Sequence, residues 1–316
     1  MSELSSTPAA GPTLTKVADA AATTRRPSPV AQPRMGAARW WREVGWRHVV
    51  GVAMLVFSLF PVLYIISAAF NPLGSVVSTG IIPRAFSLEN FDKLFSTTSF
   101  ERWLLNSLLV ATVVTVFQVF CSSLAAYAFS RLRFRGRRGG LLTLLLIQMF
   151  PQFLALVAIY QMFTTIGDVV PSIGLNTIAG YMLVLSAGAL GQVWLIKGFF
   201  DAVPKDLDEA ATVDGAGHVT IFFRILLPLL RPILVVTGLL AFIGVINDFL
   251  MASIFLRDDS AKTVVIGLYG IIDADRSNNL GLFAAGALIT AVPVVVLFQV
   301  AQRYIVGGIT VGAVKG

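Results

Sequence analysis

Six apolar runs, each close to the about 20 residues that a helix needs to cross about 30 Å of hydrocarbon, constrain this chain more than any other feature. They lie near 49–70, 103–129, 141–163, 176–196, 233–256 and 281–302. None alternates with the two-residue period of a barrel strand. The expectation is an all-α integral membrane protein with six transmembrane helices. Composition agrees. Of the 316 residues, 56% are hydrophobic and 13% charged, and the mean hydropathy is +0.80. An ordinary soluble domain is about a quarter charged, so this chain has too little charge to cover a water-facing surface.

Six spans leave both ends on one side, and charge decides which. The N-terminal segment, the 130–140 loop (Arg131, Arg133, Arg135, Arg137, Arg138), the 197–232 loop and the C-terminal tail hold 18 of the 24 Lys and Arg residues. Cytoplasmic segments carry the cationic excess, so both termini are expected in the cytoplasm and the protein in the cell (cytoplasmic) membrane. The loops near 71–102, 164–175 and 257–280 then face outward. The net charge of +7 is placed between apolar runs, which suits membrane topology and lipid headgroups and argues against a nucleic-acid partner. The lone cysteine, Cys121, allows no disulfide within the chain.

Residues 1–39 are rich in Ala, Pro, Thr and Ser, which predicts a disordered cytoplasmic tail. They lack the apolar core of a signal peptide. Residues 40–48 mix tryptophan with arginine, a composition suited to the lipid headgroups. Residues 49–302 form the six-helix domain, and 303–316 a cytoplasmic C-terminal tail.

The loop between the fourth and fifth runs, 204–228, is the most informative. Asp206, Asp208 and Glu209 follow Pro204, as suits the positive end of a helix dipole. Ala210 and Ala211 are small and allow a partner to approach closely. Gly215, Ala216 and Gly217 break the helix, and a second short helix is expected from about Val219 to Leu227. The product is a helix-turn-helix knob. The alternative is an ordinary solvated loop. No G-x-x-x-x-G-K-[ST] sequence occurs, so nothing here cradles a nucleotide in the P-loop manner. The two histidines, His48 and His218, stand too far apart in sequence to suggest a metal site.

Polar residues within spans face a cavity or a partner helix. Candidates are Asn106, Gln118, Gln148, Gln152, Gln161, Gln192, Asn247 and Asp248, the last being the one acid in a span. Asn247 and Asp248 suit either a substrate path or a clamp between helices. Phe150, Tyr181 and Trp194 suit either stacking on a ring of the substrate or packing. Pro151 and Pro293 should kink their helices.

The knob sequence fits E-A-A, three residues, G, nine residues, I-x-L-P, at Glu209, Ala210, Ala211, Gly215, Ile225, Leu227 and Pro228. At residue frequencies of about 5–10%, the chance match is roughly one in 10⁸ per start position. This resembles the signature loop of importer-type ABC permeases. Further stretches are similar to the MalG-type permease family of maltose and maltodextrin importers. They are 148–151, 156–160, 174–177, 194–200 and 302–316, so the likeness spans roughly 45–316.

The resemblance implies a type I ABC importer permease fold with no enzymatic activity of its own. It implies that Glu209, Ala210, Ala211, Asp214, Gly215, Ile225, Leu227 and Pro228 couple to an ATPase, with Glu209 facing it. It implies as partners a homologous F-type permease, two copies of the ATPase, which bind the ATP and Mg, and an extracytoplasmic sugar-binding protein. No cofactor belongs to this chain. Lys315 and Gly316 would reach the ATPase. Arg257, Asp258 and Asp259 would meet the binding protein, unless they form an ordinary solvated loop. Asn247, Asp248, Gln148, Gln152 and Trp194 are the substrate-path candidates. Trehalose or another di- or oligosaccharide is the alternative cargo. A secondary sugar transporter is disfavoured by the single intramembrane acid and the absence of a clear repeat.

Overall fold

The computed structural model describes residues 36, 40–72, 75, 80 and 86–313, with the backbone alone at 152–153 and 305–313. The expected tail 1–39 lies outside these residues apart from 36, as do Lys315 and Gly316; the side chain of Gln152 also lies outside them. No strand occurs among the described residues. The chain divides into two compact units, 1–58 and 59–316.

In the first unit a π-helical turn, Trp41–Gly45, leads into α1 (Trp46–Phe70), which continues into the second unit. Trp40, Trp41 and Trp46 are exposed. The Trp41 ring covers Gly45 so closely that a Cβ there would come within 2.4 Å of it.

The second unit continues with α2 (Glu89–Thr97), α3 (Phe100–Arg131), α4 (Arg137–Met149), α5 (Gln152–Val169), α6 (Ile178–Ser186) and α7 (Ala189–Ala202). The knob follows as α8 (Asp206–Val213) and α9 (His218–Leu229). Then come α10 (Arg231–Ile246), α11 (Leu250–Phe255), α12 (Val264–Ala274) and α13 (Leu280–Ala313). Helix α3 is the axis, packing on α7, α10, α6 and α12. Three apolar clusters lie along it. Phe100 and Trp103 pack with α12 and α13 at its start. Val110 and Val114 pack with Tyr181 and Phe242 at its middle. Ala126 and Tyr127 pack with Phe200 and Phe222 at its end.

Among the described residues four helices are long and apolar enough to span a membrane, and up to six spans result if each of two bent pairs counts as one. The breaks have local causes. Proline has no N–H and pushes its predecessor out of the helical region. Phe150 accordingly adopts φ −71, ψ 128 before Pro151, and the third span ends one helix there and starts another. This exceeds the expected kink. Pro293, by contrast, sits inside a continuous α13. The fourth span bends by 40° between Ser186 and Ala189. Side chains of α3 serve the carbonyls around this break: Gln118 Nε2 donates to Leu185 O at 2.7 Å and Ser122 Oγ to Ala189 O at 2.7 Å. The fifth span loses its helix at Asn247–Phe249, between α10 and α11.

Candidate functional site

The knob is built from its backbone outward. Lys205 O accepts from Asp208 N at 2.9 Å and from Glu209 N at 3.0 Å, opening α8. Pro204 stands just before this turn rather than within it. Gly215 takes φ +85, the left-handed conformation that a helix exit favours and that only glycine adopts without cost. Ala216 N then donates to Ala211 O at 2.9 Å, closing α8. The second helix begins at His218 and ends at Leu229, slightly longer at both ends than the sequence suggests.

Burial sorts the signature residues into two sets. Ala211 is buried against α3 and α7 with Ile221, Phe222 and Leu226, while Ile225, Leu227 and Pro228 are half-buried. Glu209, Ala210, Asp214 and Gly215 are exposed together on the outer face. The small residue at 211 lets α8 lie close on the bundle, and the small residue at 210 leaves the outer face open.

Sequence reasoning missed how the knob is held. The end of α3 reaches the knob with Arg131 and Tyr127, and the end of α7 with Ser130. Arg131 Nε lies 2.5 Å from Asp208 Oδ2, and Arg131 Nη2 donates to Val203 O at 2.8 Å. Tyr127 Oη lies 3.1 Å from His218 Nδ1. Ser130 Oγ donates to Asp201 Oδ1 at 2.6 Å, and Asp201 pairs with Lys197 at 2.5 Å. Arg137 donates to Phe129 O at 2.7 Å and to Ser130 O at 3.2 Å, closing the C-terminal end of α3. A sequence signal existed for one partner only: Asp208 precedes Glu209 in the motif. Nothing in the sequence joins it to Arg131, 77 positions earlier.

Among the described residues, the mid-span candidates meet in pairs, and Gln192 Nε2 donates to Gln118 Oε1 at 3.0 Å. Tyr181 is fully buried and donates its hydroxyl to Asp248 Oδ2 at 2.8 Å; the same oxygen accepts from Ala252 N at 3.1 Å. Asp248 therefore caps α11 and ties it to α6, which is the clamp reading, and Tyr181 has no free face for a sugar. Asn247 is exposed, with its amide donating to Ile243 O at 2.8 Å. Gln148 is exposed and reaches Leu190 O at 3.3 Å. The indole N–H of Trp194 is buried and has no acceptor among the described residues.

The loop of Arg257, Asp258 and Asp259 is tied from several sides. Asn176, at φ 62, accepts on Oδ1 from the backbone N–H of Arg257 at 3.0 Å and of Asp258 at 2.8 Å, and its amide donates to the Asp258 carboxylate. From the start of α3, the N-cap residue Ser99 donates to the Asp259 carboxylate, Trp103 Nε1 to Asp259 O at 3.1 Å and Asn106 Nδ2 to Lys262 O at 2.9 Å. The Ser99 hydrogen bond, aided by Lys262 against a smaller effect of burial, holds the Asp259 carboxyl below its ordinary range. Arg257 lies over the Tyr160 ring at 5.6 Å. Asn106 thus ties α3 to this loop.

A bundle of apolar helices with broken spans and a protruding two-helix knob defines a membrane transport subunit. Residues 118–310 match the family described as the inner membrane component of binding-protein-dependent transport systems. The chain belongs to that family and is a permease subunit of an ABC importer, resident in the membrane. It is 36% identical over 267 residues to the galactooligosaccharides transport system permease protein GanQ of Bacillus subtilis (strain 168), covering 83% of this chain and 92% of that one. It is 38% identical over 282 residues to the maltose/maltodextrin transport system permease protein MalG of Vibrio vulnificus (strain YJ016), covering 85% and 95%. A chain from the crystal structure of a bacterial ABC transporter that imports alginate superposes with a TM-score of 0.69 at 20% identity, covering 86% of this chain and 99% of that one. The fold is that of a type I importer permease.

Proposed function

We propose that this chain is one of two pore-forming subunits of an ATP-driven importer of maltose and maltodextrins. The observation that carries the coupling role is the exposure of Glu209 on a knob held to α3 by the Arg131–Asp208 pair. An exposed carboxylate beside the small Ala210 suits a groove with a basic residue on an ATPase subunit. Two such ATPase copies bind the ATP and Mg. When they close, each knob moves with its docked ATPase, and the pull passes through Arg131 into α3. Because α3 packs on α6, α7, α10 and α12, the displacement reaches the other spans and switches the pore between inward-open and outward-open forms.

The remaining roles follow the same frame. Both termini lie in the cytoplasm, and Lys315 and Gly316 reach the ATPase. A homologous F-type permease completes the pore. The extracytoplasmic sugar-binding protein meets the loop of Arg257, Asp258 and Asp259, which its hydrogen bonds hold in one shape. Asn247 faces the path: an exposed amide beside an unwound backbone is costly against lipid and tolerable against water or a partner subunit. Gln148, Gln152 and Trp194 lie along the third and fourth spans that flank it, while Asp248 acts from behind as a clamp.

Similarity to GanQ favours a second cargo, galactooligosaccharides. Uptake of labelled maltotriose and labelled galactotriose by cells lacking only this gene decides. Loss of maltotriose uptake alone supports the maltodextrin reading. Loss of galactotriose uptake alone replaces it.

A further inference from the structure

The turn after α3 and the first residues of α4 hold four arginines that the coupling role does not use. Arg137 is committed to the end of α3 through Phe129 O and Ser130 O. Arg133, Arg135 and Arg138 are exposed and make no ion pair among the described residues. No Asp or Glu occurs between Glu101 and Asp168. Arg133, Phe134, Gly136, Arg137, Arg138 and Gly139 line an open recess of about 410 Å³ in which no acid takes part.

Position and neighbours decide what such a recess takes. Helix α3 has 32 residues, hence a length of about 48 Å at 1.5 Å per residue, against about 30 Å of hydrocarbon. Its end therefore reaches the headgroup layer. Phe134 stands exposed among the arginines. Along α4, Leu142, Leu145 and Leu146 are exposed at four, seven and eight residues after Arg138, the spacing that places all four on one helix face. A charged recess thus runs directly into an apolar stripe.

We propose that this surface binds an anionic phospholipid, with the phosphate in the recess against Arg133 and Arg138, the exposed Arg135 adding charge from the same turn, and an acyl chain along Leu142, Leu145 and Leu146. Guanidinium groups match phosphate oxygens in a bidentate manner. A soluble phosphate or an acidic protein surface would use the arginines and leave the leucines idle. Arg133 also lines the recess beneath Glu209, with Lys205, Asp208 and His218, so the lipid lies next to the knob and its presence bears on coupling.

The test uses the complete importer, purified with its partner subunits into nanodiscs of phosphatidylcholine with or without phosphatidylglycerol. A photoactivatable phosphatidylglycerol should cross-link wild-type chain within 133–146. Native mass spectrometry should show retained phosphatidylglycerol, reduced at least fivefold in R133Q/R135Q/R138Q. The variant L142S/L146S keeps every arginine, and so the topology signal, and should also lose retention. Cross-links distributed evenly over the chain, or full retention by both variants, would overturn the proposal. So would displacement by millimolar orthophosphate with L142S/L146S unaffected, which marks a free anion site, or cross-linking of the same segment to an acidic ATPase surface. None of these readouts depends on which sugar is carried.

Discussion

Arg131 Nε lies 2.5 Å from Asp208 Oδ2, with the two side chains only 5% and 17% exposed. This pair joins the end of the central helix α3 to the first helix of the knob. The Val203 carbonyl, bound to the same guanidinium at 2.8 Å, fixes where α7 hands over to the knob. A force applied to the knob would therefore reach α3.

Asp208→Asn should loosen this joint. Removing one partner of a buried ion pair leaves the other uncompensated, at about 3–5 kcal/mol. Hydrogen exchange across 206–229 should accelerate, and ATP hydrolysis should persist with uptake reduced. Unchanged exchange in the variant would remove the joint from the mechanism.

Glu209→Lys should behave differently, because Glu209 is exposed and makes no ion pair among the described residues. Stability should stay within about 0.5 kcal/mol, as for ordinary surface substitutions. Uptake should collapse while the assembled complex retains basal ATP hydrolysis. Normal uptake would show that the docking contact lies elsewhere.

Gly215→Ala and Gly217→Ala form a matched pair. Both sites are open, with nothing within 4 Å of an added Cβ, but Gly215 has φ +85 and Gly217 φ −78. The first should cost about 1–2 kcal/mol for a left-handed non-glycine residue, and the second should be close to neutral by thermal unfolding. Equal effects would contradict the knob's backbone.

Asn247→Ala and Tyr181→Phe separate path from clamp. The first should raise the KM for sugar with little effect on thermal stability. The second removes the hydroxyl bound to Asp248 and should lower stability by about 1–3 kcal/mol while leaving the KM unchanged. A reversal of the two outcomes would exchange the roles.

The outer loop should respond to acid. Asp259 is held below its ordinary 3.8 by the Ser99 hydroxyl, with Lys262 assisting against burial. A depressed carboxyl stabilises the fold above its unfolded pKa and loses that contribution as pH falls through the folded value. Hydrogen exchange of 257–263 should therefore rise below about pH 4, and Ser99→Ala should move the onset upward. An onset that does not move with Ser99→Ala would remove this bond as the cause.

Much of this was legible in the chain alone. Apolar runs of span length, the E-A-A to L-P spacing from Glu209 to Pro228, and the helix-breaking Gly215 are local properties, because period, composition and turn chemistry act over a few residues. The break at Pro151 was expected as a kink, since proline's missing N–H is also local. Unwinding at Asn247–Phe249 is not legible in the sequence, and neither is the meeting of Asp248 there with the Tyr181 hydroxyl 67 positions away.

The sequence by itself determined that the chain lives in a membrane as apolar helices and carries a two-helix knob with Glu209. Tertiary structure alone decided that the knob is joined to Arg131, that Asp248 meets the Tyr181 hydroxyl while Asn247 is exposed, and that Asn176 holds the outer loop. Hydrophobicity and helix propensity are summed along neighbours and survive in one dimension. A hydrogen bond or ion pair needs two groups within about 3 Å of each other, and which distant residues meet is fixed only when the helices pack.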